Sequence, residues 1–245
     1  MSPYPALKPW TVALRLVGGG LALALVLCVI GWSIVSFVPE RWKSAEANVN
    51  AWFVDQRVPF FDVATQVGSD LAGTYTCIGV LIVAVVVLRV WLGRWRESWT
   101  LTAAIVGELW VFLIVTALVG RDRPDVSHLD LAPPTSSFPS GHTAAAVALY
   151  GCLAVIVLRE LRPRWLAVAL AIIFWSIPVV VGISRVYRGM HFPSDVIFGA
   201  LGGAAWLYIA LTTLLPSPRT RSTDENRVGS HPLSTDVIPE AGGAR

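Results

Sequence analysis

The sequence predicts an all-α, polytopic membrane protein, a bundle of six transmembrane helices. Three observations predict it. Of the 245 residues, 55% are hydrophobic and only 14% charged, a balance suited to lipid rather than water. The apolar residues gather into six runs, each near the roughly 20 residues a helix needs to cross hydrocarbon. Lys and Arg collect in alternate short connections, as expected of a multi-pass chain.

The first run, about Thr11 to Val38, begins beside Lys8 and Arg15 and is too long for the apolar core of a signal peptide, so a retained helix is expected. Gly18, Gly19 and Gly20 within it allow close helix contact. Pro39 to Asp70 reads as a long outer loop. Val49, Trp52 and Phe53 fit one face of a short helix there, which either lies in the interface beside a site or simply covers the bundle. The second and third runs cover about Leu71 to Leu92 and Thr100 to Val119. Glu108, deep in the third, needs a partner or water. Arg89 offers a structural ion pair, and a proton or ion path is the alternative.

The fourth run, about His142 to Leu158, is the shortest. The fifth covers Trp165 to Ile183. The sixth, Val196 to Leu215, carries Gly199 and Gly203 four apart, a pattern for tight helix packing. Residues 1–215 therefore read as one membrane domain. Residues 216–245, rich in Ser, Thr, Pro, Gly and charge, read as a disordered tail. No internal repeat is evident.

Composition also excludes classes of partner. Cys28, Cys77 and Cys152 all fall inside runs, without the paired spacing of a zinc site, so no metal is expected. A net charge of +3, with aromatics inside the spans, gives no reason to expect nucleic acid. Orientation follows from Arg94 and Arg96 after the second run and Arg159, Arg162 and Arg164 after the fourth. Those loops, and with them both termini, are expected in the cytoplasm.

Three polar clusters fall in the opposite loops: Gly120-Arg121-Asp122-Arg123-Pro124, then Pro139-Ser140-Gly141-His142, then Ser184-Arg185 with His191 and Asp195. They read as one site built from three loops, facing away from the cytoplasm. Arg123 and Arg185 offer forked donors that match the oxygens of a tetrahedral anion. Ser140 and Gly141 stand where a helix begins, so free backbone N–H groups and the helix dipole can cradle an oxyanion. Asp195 can hold one nitrogen of His191 and leave the other to attack, while His142 supplies a proton to the leaving oxygen.

Arg123-Pro124, Pro139-Ser140-Gly141-His142 and Ser184-Arg185 with His191 and Asp195 together resemble the three-part signature of the phosphatidic acid phosphatase type 2 family, which is related to the vanadium haloperoxidases. The signature runs Lys-x6-Arg-Pro, Pro-Ser-Gly-His, Ser-Arg-x5-His-x3-Asp, and the likeness covers about Leu71 to Leu215. It implies a six-helix membrane lipid phosphatase that works without metal or other cofactor through a phosphohistidine. By position His191 is similar to the nucleophile, Asp195 to its partner and His142 to the proton donor. Arg123, Ser140, Gly141 and Arg185 fall where the family holds phosphate.

One position departs. Thr116 stands seven residues before Arg123, where the motif has lysine. Arg121 and Arg188, in excess of the motif, are candidate auxiliaries that replace the missing charge. The expected partner is a lipid phosphate or diphosphate at the outer face of the cell membrane, an undecaprenyl-type diphosphate first, with phosphatidic acid or phosphatidylglycerophosphate as alternatives. The rival readings are a lipid phosphotransferase on the same fold and, because Thr116 departs from the motif, a catalytically silent lipid-binding relative. His128 reads as an ordinary loop residue, and the oligomeric state is open.

Overall fold

The computed structural model describes residues 8–215, and the expected tail lies outside the described residues. Among them are eight α-helices: α1 (Pro9–Phe37), α2 (Glu40–Asp55), α3 (Pro59–Asp70), α4 (Thr74–Leu92), α5 (Arg96–Val119), α6 (Gly141–Glu160), α7 (Arg164–Tyr187) and α8 (Pro193–Leu214). Six of them, α1 and α4 to α8, are long and apolar enough to cross a membrane. The local chemistry fixes several of the ends. Proline, with φ already helical and no N–H to leave unpaired, opens α1, α3 and α8. Gly93 and Gly120 close α4 and α5 at φ +66° and +65°, a left-handed turn that disfavours other residues.

The six expected spans are present, and their order is as read. The segment from Pro39 to Asp70 is not a loop. It forms α2 and α3, of which α3 packs along α7 and α2 touches α7 and α8. Polar residues such as Glu46 and Asn50 made α2 look like loop, yet those side chains turn inward onto the polar end of the bundle.

The shortest expected span, α6, is the most buried of the six and packs against α5, α7 and α8. Its Ala and Gly residues let neighbours approach. Gly199 and Gly203 of α8 lie against its backbone, so that a Cβ at these positions would fall 2.6 Å from the Ser140 carbonyl oxygen and 2.7 Å from that of Ala144. Leu101, Leu149, Ile156 and Val181 fill the core around α6. A second cluster of Leu27, Val115, Phe138 and Trp206 joins α1, α5 and α8. Trp206 donates its indole N–H to the Ala104 carbonyl at 2.9 Å, which satisfies the one polar group it buries. The outward faces of α1 and α4 leave Leu14, Leu21, Leu25, Val83, Val87 and Val90 exposed, an apolar surface suited to hydrocarbon.

The two ends of the bundle differ in charge. At one end Arg94 bridges Glu97 of α5 and Glu160 of α6, at 2.9 and 2.8 Å. At the other end the connections at 120–140 and 188–192 meet. Arg89 does not pair with Glu108; its guanidinium lies over the Trp95 ring, 5.3 Å from the centroid. The hairpin explains why. Glu108 lies 12 residues into α5 and Arg89 only three from the end of α4, which separates them by on the order of 12 Å along the bundle axis.

Candidate active site

The three polar clusters come together, but at helix ends rather than in three loops. Ser140 is the N-cap residue of α6, and Gly141 and His142 are its first two residues. Ser184 and Arg185 lie in the last turn of α7, which runs four residues beyond the expected Ile183 because Arg185 finds partners without leaving the helix. Asp195 is the third residue of α8. Arg123 comes from the connection after α5. Arg123, Gly141, His142, Arg185 and His191 line one cavity of about 670 Å³. The cavity continues between α4 and α5 as an apolar groove walled by Ile78, Leu81, Leu109, Phe112 and Leu113.

His191 is fixed differently from the expectation. Its Nδ1 lies 2.8 Å from the carbonyl oxygen of Ser137. A carbonyl can only accept, so Nδ1 carries the proton and Nε2 is the basic nitrogen. The nearest carboxylate oxygen of Asp195 is 3.8 Å from Nδ1, too far for a hydrogen bond. Burial pushes the His191 pKa below the usual imidazole value, and the Asp195 charge opposes that shift without overcoming it. Asn50 of α2 donates to the His191 carbonyl at 3.0 Å and holds the backbone.

Asp195 is fully buried and serves as a helix cap. One carboxylate oxygen accepts the Phe192 N–H at 2.9 Å, closing the first turn of α8. The other accepts from Arg121. Arg121 also donates to Glu46 at 2.8 Å and lies 4.4 Å over the Phe192 ring. Glu46 in turn accepts the Ser194 N–H at 2.8 Å. Arg121 is thus held behind Asp195 and does not line the cavity. Arg188 is held as firmly: it pairs with Asp130 at 2.6 Å and reaches Gln66 and the Asp62 carbonyl. Neither auxiliary arginine is among the residues that line the cavity beside Thr116. Thr116 lines the cavity, and its hydroxyl donates to the Ser136 carbonyl at 3.3 Å.

The Ser140 N–H is also committed, to the Asp195 carbonyl at 2.9 Å, and the Ser140 hydroxyl lies 3.0 Å from that of Thr143. The Gly141 N–H is therefore the first at the α6 N-terminus that can meet an anion. Arg123 donates to the Met190 carbonyl at 2.7 Å, and Arg185 to Ser69 and Asp130 at 2.9 and 2.8 Å. The Nε–H of each is buried and meets no acceptor among the described residues. Burial presses on the Arg123 charge and lowers its pKa from the usual guanidinium value. Burial alone would raise the Asp130 pKa, but Arg188 and Arg185 hold its carboxyl below the usual range.

Glu46, Asn50, Asp130 and the Ser137 carbonyl were not identified from the sequence. The one available signal was that Glu46 and Asn50 lie four apart, on one helical face. His128 lies 3.0 Å from the Pro124 carbonyl, a contact within its own loop. Among the described residues, no three His, Cys, Asp or Glu side chains converge to hold a metal ion.

Residues 97–217 match the family model described as the PAP2 superfamily. A lipid A 1-phosphatase of Rhizobium etli is 32% identical over 156 residues, 60% of this chain and 61% of that protein. A lipid phosphate phosphatase gamma of Arabidopsis thaliana is 33% identical over 108 residues, 40% of this chain and 46% of that one. The matches thus span about half to three fifths of the length of these curated relatives. Among solved structures, a transmembrane PAP2-type phosphatidylglycerolphosphate phosphatase from Bacillus subtilis superimposes with a TM-score of 0.68 at 21% identity, over 87% of this chain and 97% of that one. That likeness establishes the fold.

Proposed function

From the premise that the chain belongs through residues 97–217 to the PAP2 superfamily, we propose that it is a membrane lipid phosphatase with its phosphatase core in residues 71–215. One observation carries the reading: the side chains of Arg123 and Arg185 line the cavity that holds His142 and His191 and continues into an apolar groove. Two cationic forks suit the oxygens of a phosphate, and the groove suits its hydrocarbon tail.

In the proposed reaction, Nε2 of His191 attacks phosphorus as the bond to the lipid oxygen breaks, and His142 gives that oxygen its proton. Arg123, Arg185 and the Gly141 N–H hold the charge that develops on the phosphoryl oxygens. Water then attacks the phosphorus of phospho-His191, His142 takes the proton from that water, and free phosphate leaves. Ser140 and Asp195 act as positioning residues through their mutual backbone bond and the cap on α8.

The cationic connections lie at the end of the bundle away from the site, which supports a site facing outward from the cytoplasm across the cell membrane. An outward site suits recycling of an undecaprenyl-type diphosphate carrier; phosphatidic acid and phosphatidylglycerophosphate are the acylated alternatives. The test is phosphate release by purified protein, with chelator present, from each of these lipids, beside His191→Ala. Release that vanishes in the variant is the expected result. Lipid binding without release would instead favour a silent relative, the reading that Thr116 in place of the motif lysine supports.

A further inference from the structure

We propose that Glu108 is a specificity-determining residue of the lipid groove, its carboxyl group donating a hydrogen bond to an acyl carbonyl one helical turn below the phosphate-binding end. The inference rests on the lipid-phosphatase reading of the same site and deepens it by naming the lipid class. Glu108 lies deep in the membrane-spanning α5, is only 5% exposed, and lines the cavity with His142 and Arg123. Among the described residues it meets no hydrogen-bond donor and no cation; Arg89, the one expected partner, is held over Trp95. An acid at that depth with no protein partner is costly to keep unless something entering the cavity satisfies it.

The depth of Glu108 decides what that is. Phe112, one turn above Glu108, packs against Gly141, where a Cβ would fall 2.7 Å from its ring. Glu108 therefore lies one turn, about 6 Å, below the N-terminus of α6. The walls beside it are Cys77, Ile105, Leu109 and Ala145, with no second polar group to stabilise a cation. A lipid held by its phosphate at the α6 end carries its acyl carbonyls a few bonds further down. One hydrogen bond from a neutral carboxyl is what such a carbonyl needs in an apolar groove, since a carbonyl only accepts. A polyprenyl chain has hydrocarbon at that depth and leaves the acid unsatisfied. The groove thus ranks acylated phospholipids above a polyprenyl diphosphate.

The test compares three lipids, a diacyl phosphatidic acid, its dialkyl-ether analogue and a polyprenyl diphosphate, with the full chain and with Glu108→Leu and Glu108→Gln. The wild type is expected to favour the ester over the ether by about tenfold in kcat/KM, the worth of one hydrogen bond, chiefly through KM. That ratio falls toward one in Glu108→Leu and recovers in Glu108→Gln, which keeps a donor. Equal losses on all three lipids would show a structural role, and an ester-to-ether ratio untouched by Glu108→Leu would overturn the proposal. Binding of the same lipids to His191→Ala, with and without Glu108→Leu, decides it independently of turnover. An ester preference in binding that disappears with Glu108→Leu upholds it, and equal binding of ester and ether overturns it. Phosphate release from none of the lipids counts instead against the phosphatase reading.

Discussion

Nδ1 of His191 donates to the carbonyl oxygen of Ser137 at 2.8 Å, while the Asp195 carboxylate stands 3.8 Å from the same nitrogen. The tautomer is therefore set by backbone, and the acid acts through its cap on α8 and its field. Asp195→Asn should leave the ring oriented and lower kcat by about 10- to 100-fold, the range for outer partners of a working imidazole. That is well short of the ~10⁴ loss where a carboxylate alone holds the tautomer. Single-turnover phosphate release by Asp195→Asn and His191→Ala checks it. Equal losses would return the tautomer to Asp195.

The pH profile follows from the burial of His191. A nucleophilic imidazole must be neutral, and burial holds the folded His191 below the ordinary value of about 6.5. The acid limb of kcat/KM that belongs to this residue should therefore fall below that value, with activity lost as pH drops through it. Asp195 favours the charged ring, so Asp195→Asn should move the limb lower still. The unfolded chain binds this proton more readily than the folded one, so His191 costs stability as pH falls below the unfolded value. An acid limb at or above the ordinary value would contradict the assignment. The measurement is kcat/KM against pH, corrected for the ionisation of the substrate phosphate.

Arg121 and Arg123 are two residues apart and should fail differently. Arg121→Ala leaves Asp195 and Glu46 without their cation in a buried site, a loss of about 3–5 kcal/mol. Arg123→Ala leaves one carbonyl, that of Met190, without a donor, a cost of about 1–3 kcal/mol, and should act mainly on kcat/KM. Unfolding midpoints in detergent, read beside phosphate release, separate the two. A stable Arg121→Ala with weakened vanadate binding would restore Arg121 to the phosphate site.

Which parts of this were legible in the sequence has a physical pattern. The spans were readable because lipid demands long apolar runs, and the clusters because His and Asp set beside apolar spans are costly to bury unless paired or used. The role of Arg121 was not readable. Which of two neighbouring arginines faces the cavity depends on which acids can reach it, and Glu46 lies 75 residues away on a helix whose polar face looked like loop. The Ser137 carbonyl was hidden for a different reason, since a backbone acceptor has no residue type. Glu108 was visible, but its lack of a partner depended on helix register, which the sequence pattern leaves open.

The contact between α8 and α6 joins packing to the site. A methyl at Gly199 would meet the Ser140 carbonyl oxygen at 2.6 Å, and that oxygen belongs to a backbone unit that cannot swing aside. Gly199→Ala should push α8 outward and stretch the Ser140 N–H to Asp195 carbonyl bond, costing about 1–3 kcal/mol and most of the activity. Gly18, with open space where its Cβ would be, is the control: Gly18→Ala should be neutral or stabilise α1 by about 0.5–1 kcal/mol. Paired unfolding curves test this, and equal behaviour of the two variants would refute the close-contact argument.

Thr116 tests whether the missing lysine limits the chain. Its side chain lines the cavity and makes only one long bond, 3.3 Å, to the Ser136 carbonyl, so little is lost on replacing it. The cavity gives a lysine stem room, and the ammonium would arrive on the wall shared with Arg123. With Arg121 and Arg188 both committed to acidic partners, no charge already present duplicates it. Thr116→Lys should therefore tighten vanadate binding by about tenfold, the effect of one added favourable contact of about 1.4 kcal/mol. It should raise kcat/KM by a similar factor if the charge also acts in the transition state. Isothermal titration with vanadate, followed by turnover of the best lipid, gives both numbers. Unchanged affinity would mean that Arg123, Arg185 and the α6 N-terminus already neutralise the phosphate, and that the threonine is tolerated because the charge is not needed there.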